Sequence, residues 1–311
     1  MARPAPASTR AATIISFLTA HPLQGFTISE LARHLGMNIA SAHATLAVLS
    51  DCGFVLRDPV HRTYVLGPAL AATGFAAQER HPAIGAAIAQ AEVLAAELEC
   101  EIGVTAVAGR DVVILAQRGP EPAASGIGYP GDRSPLLAPM GAPFLAWADD
   151  EAVAAWLERG AVGPPLDALY RRVLAQVRDH GFSVATSAIA APAVIEAMSR
   201  LRAEPADDGA EQNLREVLRA TDEMLVLFDG LPGADEIVFK AIAAPIFDPT
   251  GRALLTLSIT GSGEPVRVDR VLALGRRLVQ AAGIATRQSR GRVPRRDAHR
   301  AASEPADAIG G

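Results

Sequence analysis

FTISELARHLGMNIASAHATLAVLSDCGFVLRDPVHRTY, residues 26–64, reads in order as a helix, a tight turn, a second helix and a β-hairpin. Thr27 precedes an apolar-periodic run and Glu30 follows three residues later, so Thr27-Ile28-Ser29-Glu30 is a capping-box start for a helix through Leu35. Gly36 stops that helix and Asn38 caps the next, in which Ile39, Ala42, Leu46 and Leu49 recur at the spacing of one buried stripe. Gly53 ends it. Phe54–Arg57 and Arg62–Leu66 are β-rich runs on either side of Asp58-Pro59-Val60-His61, a turn-forming cluster whose proline offers no amide to a ladder. A plain helical hairpin accounts for the helix pair alone. The added hairpin narrows the reading to a winged helix-turn-helix, whose second helix enters the major groove of duplex DNA.

Around this segment lie 311 residues, half of them apolar, enough for two domains. No apolar stretch reaches the ~18 residues of a membrane span. The opening residues, with Pro4 and Pro6, read as a disordered tail and not as a signal peptide. Cys52 and Cys100 are the two cysteines, too few for a disulfide framework and without zinc spacing, which fits a reducing cytoplasm. The net charge is −5, but residues 1–70 carry five arginines against Glu30, Asp51 and Asp58. The DNA face is thus mildly basic. Because phosphate neutralisation supplies much of non-specific affinity, dimerisation or a further basic segment has to assist. Arg287, Arg290, Arg292, Arg295, Arg296 and Arg300 form one such segment, whose plain reading is a solvated tail.

Along the rest of the chain, helix one runs from Arg10 to Ala20. Ala69–Gln78 forms a connecting helix, and Ala83–Leu98 an amphipathic one. Ile102–Val107 and Val112–Gln117 are strands joined across Ala108-Gly109-Arg110-Asp111, and a Gly/Pro-rich loop covers Pro120–Pro135. Helices follow at Pro143–Trp147, Glu151–Glu158 and Leu166–His180, with Gly181 as a C′ residue, then a short strand Phe182–Thr186. Pro192–Leu201 and Gln212–Leu227 are two more helical patterns, and Ile237–Phe247 and Ala253–Thr260 are strands around Asp248-Pro249-Thr250-Gly251. A last helix spans Val268–Arg287. The expected organisation is α+β. It comprises a tail (1–9), the winged helix (10–67), a linker helix (68–81), a ligand domain (82–287) with a helical insertion (185–236), and a basic disordered tail (288–311).

Gly36, Ser41-Ala42-His43, Leu46, Leu49, Gly53, Tyr64-Val65-Leu66-Gly67, Leu70 and Gly74 stand in the order of the IclR-type bacterial transcription regulators, which the chain resembles. The resemblance resumes in Ser134-Pro135-Leu136-Leu137-Ala138, in Gly141–Ala146, and in Ala241–Gly261 with the final helix. It implies a winged helix joined by a helix to a GAF-like effector-binding domain, working as a homodimer or dimer of dimers. The function it implies is that of a ligand-responsive regulator, by family habit a repressor, with duplex DNA and a small-molecule effector as partners and no cofactor.

The chain departs from that pattern in three places. Where the family commonly carries Lys, Ser and Arg, this chain has Ile39, Ala40 and Ala44. With Ala42 and Leu46 inward, an alanine face of Ala40, Ala44 and Ala47 points outward, able to touch thymine methyls but not to make bidentate base contacts. The candidate DNA contacts are then Asn38, Ser41, His43 and Thr45, with Arg57 and Arg62 on phosphate or in the minor groove. His43 either reaches DNA or packs on its own domain. The alanine face also admits an alternative, an interaction protein that keeps the winged helix without its readout. Secondly, the loop Pro135–Gly141 is one residue shorter than its family counterpart and Ala142 replaces a usual Lys. Thirdly, residues 185–236 replace a short connection, as a lid, an interface or decoration.

The resemblance places an effector pocket on the carboxyl-terminal strand pair, with Met140, Gly141, Ala241, Ser258 and Thr260 as candidate effector-binding residues and Asp235 or Glu236 as its acid. Strand alternation puts Ser258 and Thr260 on one face. They either meet a small polar ligand or bond to neighbouring backbone. No catalytic pattern is present. Ser262 in Gly261-Ser262-Gly263 lacks the frame of a nucleophile elbow, Gly126-Ile127-Gly128 lacks that of a dinucleotide loop, and the histidines show no metal spacing. The expectation is a protein that is not an enzyme and binds no metal.

Overall fold

The computed structural model describes residues 5–120, 130–186, 192–203, 207–221, 225, 228 and 235–294. The amino-terminal unit consists of α1 (Pro6–Thr19), α2 (Ile28–His34), α3 (Ile39–Asp51), β1 (Val55–Arg57) and β2 (Tyr64–Leu66). α1 starts four residues ahead of the expected Arg10, because a proline is tolerated at the first helical position. The capping box closes α2: the Thr27 amide donates to Glu30 Oε2 at 2.8 Å and the Glu30 amide to Thr27 Oγ1 at 3.3 Å. Ile14, Phe17 and Leu18 of α1 meet Phe26, Leu31, Leu46, Val55 and Tyr64 in one core. Ile39 departs from the expected stripe. It is 60% exposed, because Met37, just ahead of the Asn38 cap, packs on the core in its place.

Gly67 joins this unit to α4 (Pro68–Arg80), and its amide donates to the Phe54 carbonyl at 2.8 Å. A side chain at Gly67 would run into the Gly53 carbonyl, so the linker leaves the wing at a point only glycine can occupy. No residue of α4 is buried.

The second unit contains α5 (Pro82–Leu98), β3 (Ile102–Ala108), β4 (Asp111–Arg118), β5 (Arg133–Pro135), α6 (Ala142–Leu145), α7 (Asp150–Arg159), α8 (Pro164–His180) and β6 (Ser183–Thr186). It continues with α9 (Pro192–Ala203), α10 (Asp208–Ala220), β7 (Glu236–Ile237), β8 (Phe239–Phe247), β9 (Ala253–Thr260), β10 (Val266–Arg267) and α11 (Val268–Gln288). Six strands form an antiparallel sheet in the order β5-β4-β3-β9-β8-β6. One face buries Ile102, Val104, Ile242, Leu257 and Ile259 against an alanine stripe of α5 and the apolar face of α11. A second core forms where α6, α7 and α8 close around the fully buried Trp156. Its indole N–H donates to the Met140 carbonyl at 2.8 Å.

Four expectations about elements are corrected. The strand expected over 237–247 is two: Glu236–Ile237 pairs with Val266–Arg267 in a separate ribbon, and Phe239 begins the main-sheet strand. The helix expected over Gln212–Leu227 stops at Ala220, where Thr221 takes extended dihedrals and its hydroxyl donates to the Val217 carbonyl at 2.8 Å. The apolar residues of the insertion are not a free surface. Leu214 and Leu218 are buried with Val194 and Ala197 against Leu137, and Val217 packs beside them. Residues 289–294 also differ from a free tail, since Arg292 donates its amide to the Asp248 carbonyl at 3.0 Å. Gly126-Ile127-Gly128, residues 204–206, and Arg295, Arg296 and Arg300 lie outside the described residues.

The two units meet through α1 and the insertion. His34 Nδ1 donates to the Ala203 carbonyl at 2.8 Å, tying the end of α2 to the end of α9. Between α1 and the hairpin β4–β5 runs a cleft of about 530 Å³, with Thr9, Thr13 and Ser16 on one wall and Asp111, Arg133 and Glu211 on the other.

Candidate functional site

The Asn38 side chain makes the first half of the site, because its Oδ1 accepts the Ser41 amide at 2.7 Å and starts α3. That oxygen is therefore engaged within the helix, as is the Thr45 hydroxyl, which donates to the Ser41 carbonyl at 2.8 Å. His43 is exposed and does not pack on its own domain. Together with Ile39, Ala40, Ala44, Ala47 and Val48 it forms an outward face that carries no Lys or Arg. Arg57 and Arg62 stand exposed on the adjoining wing. The wing turn is tied by Asp58, whose Oδ1 accepts the amides of Val60 at 2.7 Å and His61 at 2.9 Å. These bonds hold the Asp58 carboxyl below its ordinary range. Arg62 follows with φ of 57°. Cys52, at the carboxyl cap of α3, is exposed.

The second half lies on the sheet. Leu255, Leu257 and Ile259 enter the core with α5 and α11, so Thr256, Ser258 and Thr260 face the other way. Thr260 is paired with Ala241 and Ser258 with Ala243, so three of the expected effector residues are neighbours. Met140 and Gly141 are not beside them. Gly141 neighbours Val112, which pairs with Val107 at one end of β3, whereas Ile102 at the other end pairs with Ile259. Five residues of extended chain separate the two places, roughly 17 Å. Asp235 and Glu236 sit by the small β7–β10 ribbon, the Asp235 carbonyl accepting the Val268 amide at 3.1 Å.

Between these places the structure adds residues that the sequence reading passed over. Glu101, 8% exposed, accepts at Oε1 from the Thr260 hydroxyl at 2.9 Å and from Gln117 Nε2 at 3.3 Å. Its Oε2 is buried with no hydrogen-bond partner. Lys240 is buried nearby; burial pushes its ammonium below the usual lysine range and the Glu101 charge partly restores it. Thr105 and Thr256 hydroxyls lie 2.7 Å apart, and the Ser258 hydroxyl makes a long contact of 3.5 Å to the Gly103 carbonyl. A side chain at Gly103 would crowd that hydroxyl. The alternation Glu101, Gly103, Thr105 was the sequence signal for this strip, since it matches the face of Thr256, Ser258 and Thr260. Beside it, the half-buried Cys100 thiol is pushed up by desolvation. Among the described residues no three His, Cys, Asp or Glu gather as metal ligands, and no helix is long and apolar enough to cross a membrane.

A winged helix-turn-helix carried on a linker helix by an α+β domain with a polar sheet face is the architecture of a DNA-binding transcription regulator. Residues 7–59 match the model of the IclR helix-turn-helix domain. The fold extends the likeness over the rest of the chain. The IclR transcriptional regulator of Alicyclobacillus acidocaldarius is 21% identical, with 92% of this chain and 100% of that one covered at a TM-score of 0.65. HmgR of Pseudomonas aeruginosa is 20% identical over 90% of this chain and 98% of that one, with a TM-score of 0.58. An IclR homolog of Microbacterium hydrocarbonoxydans, solved in complex with 4-hydroxybenzoate, is 17% identical over 91% and 99%, with a TM-score of 0.60. No curated protein sequence matches the chain.

Proposed function

We propose that the chain is a repressor that binds duplex DNA as a homodimer or dimer of dimers in the cytoplasm and responds to a small organic effector held on the polar sheet face. The observation that carries the DNA reading is the exposed face of α3 beside a wing with two free arginines. On such a surface Ser41 and His43 read bases, Asn38 and Thr45 shape the helix start, and Arg57 and Arg62 meet phosphate or the minor groove. The effector is held by Ser258 and Thr260 beside Ala241, and Met140 and Gly141 line the far end of the face. The complex of the Microbacterium relative with 4-hydroxybenzoate supports a small organic ligand for this domain. The domain bounds are those of the winged helix (10–67), the linker (68–81) and the effector domain (82–287).

Genomic footprinting of the purified protein tests the reading, with protection of particular promoters as the expected result. The alanine-rich face of α3 favours one other function, that of an interaction protein without base readout. Mobility-shift titrations showing no preference for any promoter over random DNA would establish that second reading.

A further inference from the structure

The geometry points to a hydroxyl group on the effector, alcohol or phenol, that donates a hydrogen bond to Oε2 of Glu101 when the molecule lies on the polar sheet face. This rests on the reading of that face as the effector site and names the chemistry its ligand has to carry.

The face has room for such a molecule. Gln117, Gly103, Ser258 and Ala243 are register partners across β4, β3, β9 and β8, and Thr260 pairs with Ala241 one row further on. Register partners point to the same side of a sheet, so the polar groups of Gln117, Ser258 and Thr260 stand around a floor of Gly103, Ala241 and Ala243. No side chain of that floor exceeds a methyl group.

Polarity decides what binds there. Glu101, two residues ahead of Gly103 and 8% exposed, accepts at Oε1 from the Thr260 hydroxyl at 2.9 Å and from Gln117 Nε2 at 3.3 Å. Its Oε2 is buried and has no hydrogen-bond partner among the described residues. A buried carboxylate oxygen without a donor is costly, and the Thr260 proton is already engaged by Oε1. A ligand that brings acceptors alone leaves that cost in place, whereas a hydroxyl removes it. The donor is neutral. Lys240 is buried within the field of Glu101, which favours the charged ammonium, so the carboxylate already has a positive counterpart and a cationic ligand would be repelled by it. Ser258, whose hydroxyl makes the long 3.5 Å contact to the Gly103 carbonyl, stands about 7 Å along the strand from Thr260 and serves a second polar group of the ligand.

The test titrates the full chain calorimetrically with matched probes: phenol against anisole, cyclohexanol against methoxycyclohexane, and lactate against 2-methoxypropionate. Methylation removes the donor and keeps the oxygen. At least one hydroxyl member should bind saturably and its ether tenfold or more weaker, the loss of one charge-assisted hydrogen bond. In Glu101→Gln the bonds from Thr260 and Gln117 hold the amide oxygen in the place of Oε1 and turn the amide nitrogen to that of Oε2, so the preference for hydroxyl over ether should vanish. Should that variant fail to fold, the side-chain carboxyl carbon of Glu101 in the unaltered chain, followed by NMR, should shift with the hydroxyl member and not with its ether. Equal binding of alcohol and ether overturns the proposal. So does a preference that survives Glu101→Gln, an unmoved carboxyl resonance, or no saturable binding of any hydroxyl member. Val at both Ser258 and Thr260 separates the two readings. Alcohol and ether bound alike but lost in that double variant leave the effector site standing without its hydroxyl, and binding that the double variant does not touch removes the site itself.

Discussion

Ser41 gives up its amide to Asn38 and its carbonyl to Thr45, but among the described residues its hydroxyl has no hydrogen-bond partner, so it keeps a donor that can turn toward a groove. Ser41→Ala should relax base preference in a binding-site selection while leaving affinity for random DNA nearly unchanged. Arg62→Ala should weaken binding to all sequences alike and reduce the salt slope by about one contact. The wing beneath Arg62 carries its own pH dependence. The His61 and Val60 amides hold the Asp58 carboxyl below its ordinary range, so its contribution is fully present above the unfolded carboxylate pKa. It is lost only as pH falls through the depressed folded value. The amide resonances of Val60 and His61 should therefore keep their wing positions through the pH range in which exposed carboxylates titrate and shift below it; movement near neutrality would refute the assignment.

At the scale of elements, what was legible in the sequence was local. The Thr27–Glu30 box, the Asn38 cap and the Asp248 turn each act within four residues, and each stands where the spacing put it. What was not legible depends on partners far away in the chain. Ile39 has the right spacing for the core but lies beyond its edge, and Leu214 and Leu218 needed Leu137, some eighty residues earlier, to become interior. Glu101 was missed for the same reason, since its worth comes from Thr260 across two strands. Thr27→Ala should cost about 1 kcal/mol as a lost cap, measured by denaturant unfolding. Leu214→Ala should cost roughly 2–5 kcal/mol as a buried truncation and leave the particle size in light scattering unchanged. A smaller particle would restore the interface reading of the insertion.

Over the whole molecule, α4 is the element the single chain does not account for. A 13-residue helix with nothing buried and Phe75 70% exposed is marginal in water by itself, which supports a second copy packed along it in the proposed dimer. Phe75→Glu should shift light scattering toward the monomer and weaken operator binding in proportion. At the other end, Val at both Ser258 and Thr260 should abolish the effector's influence on DNA affinity without altering binding by the free protein, because coupling requires the ligand and not the helix face. A practical use follows from the two thiols. Cys52 stands in solvent at the foot of α3, whereas the Cys100 thiol is half-buried and harder to ionise. A maleimide fluorophore added at neutral pH should therefore label one position, giving an optical reporter of groove occupancy that needs no engineered cysteine.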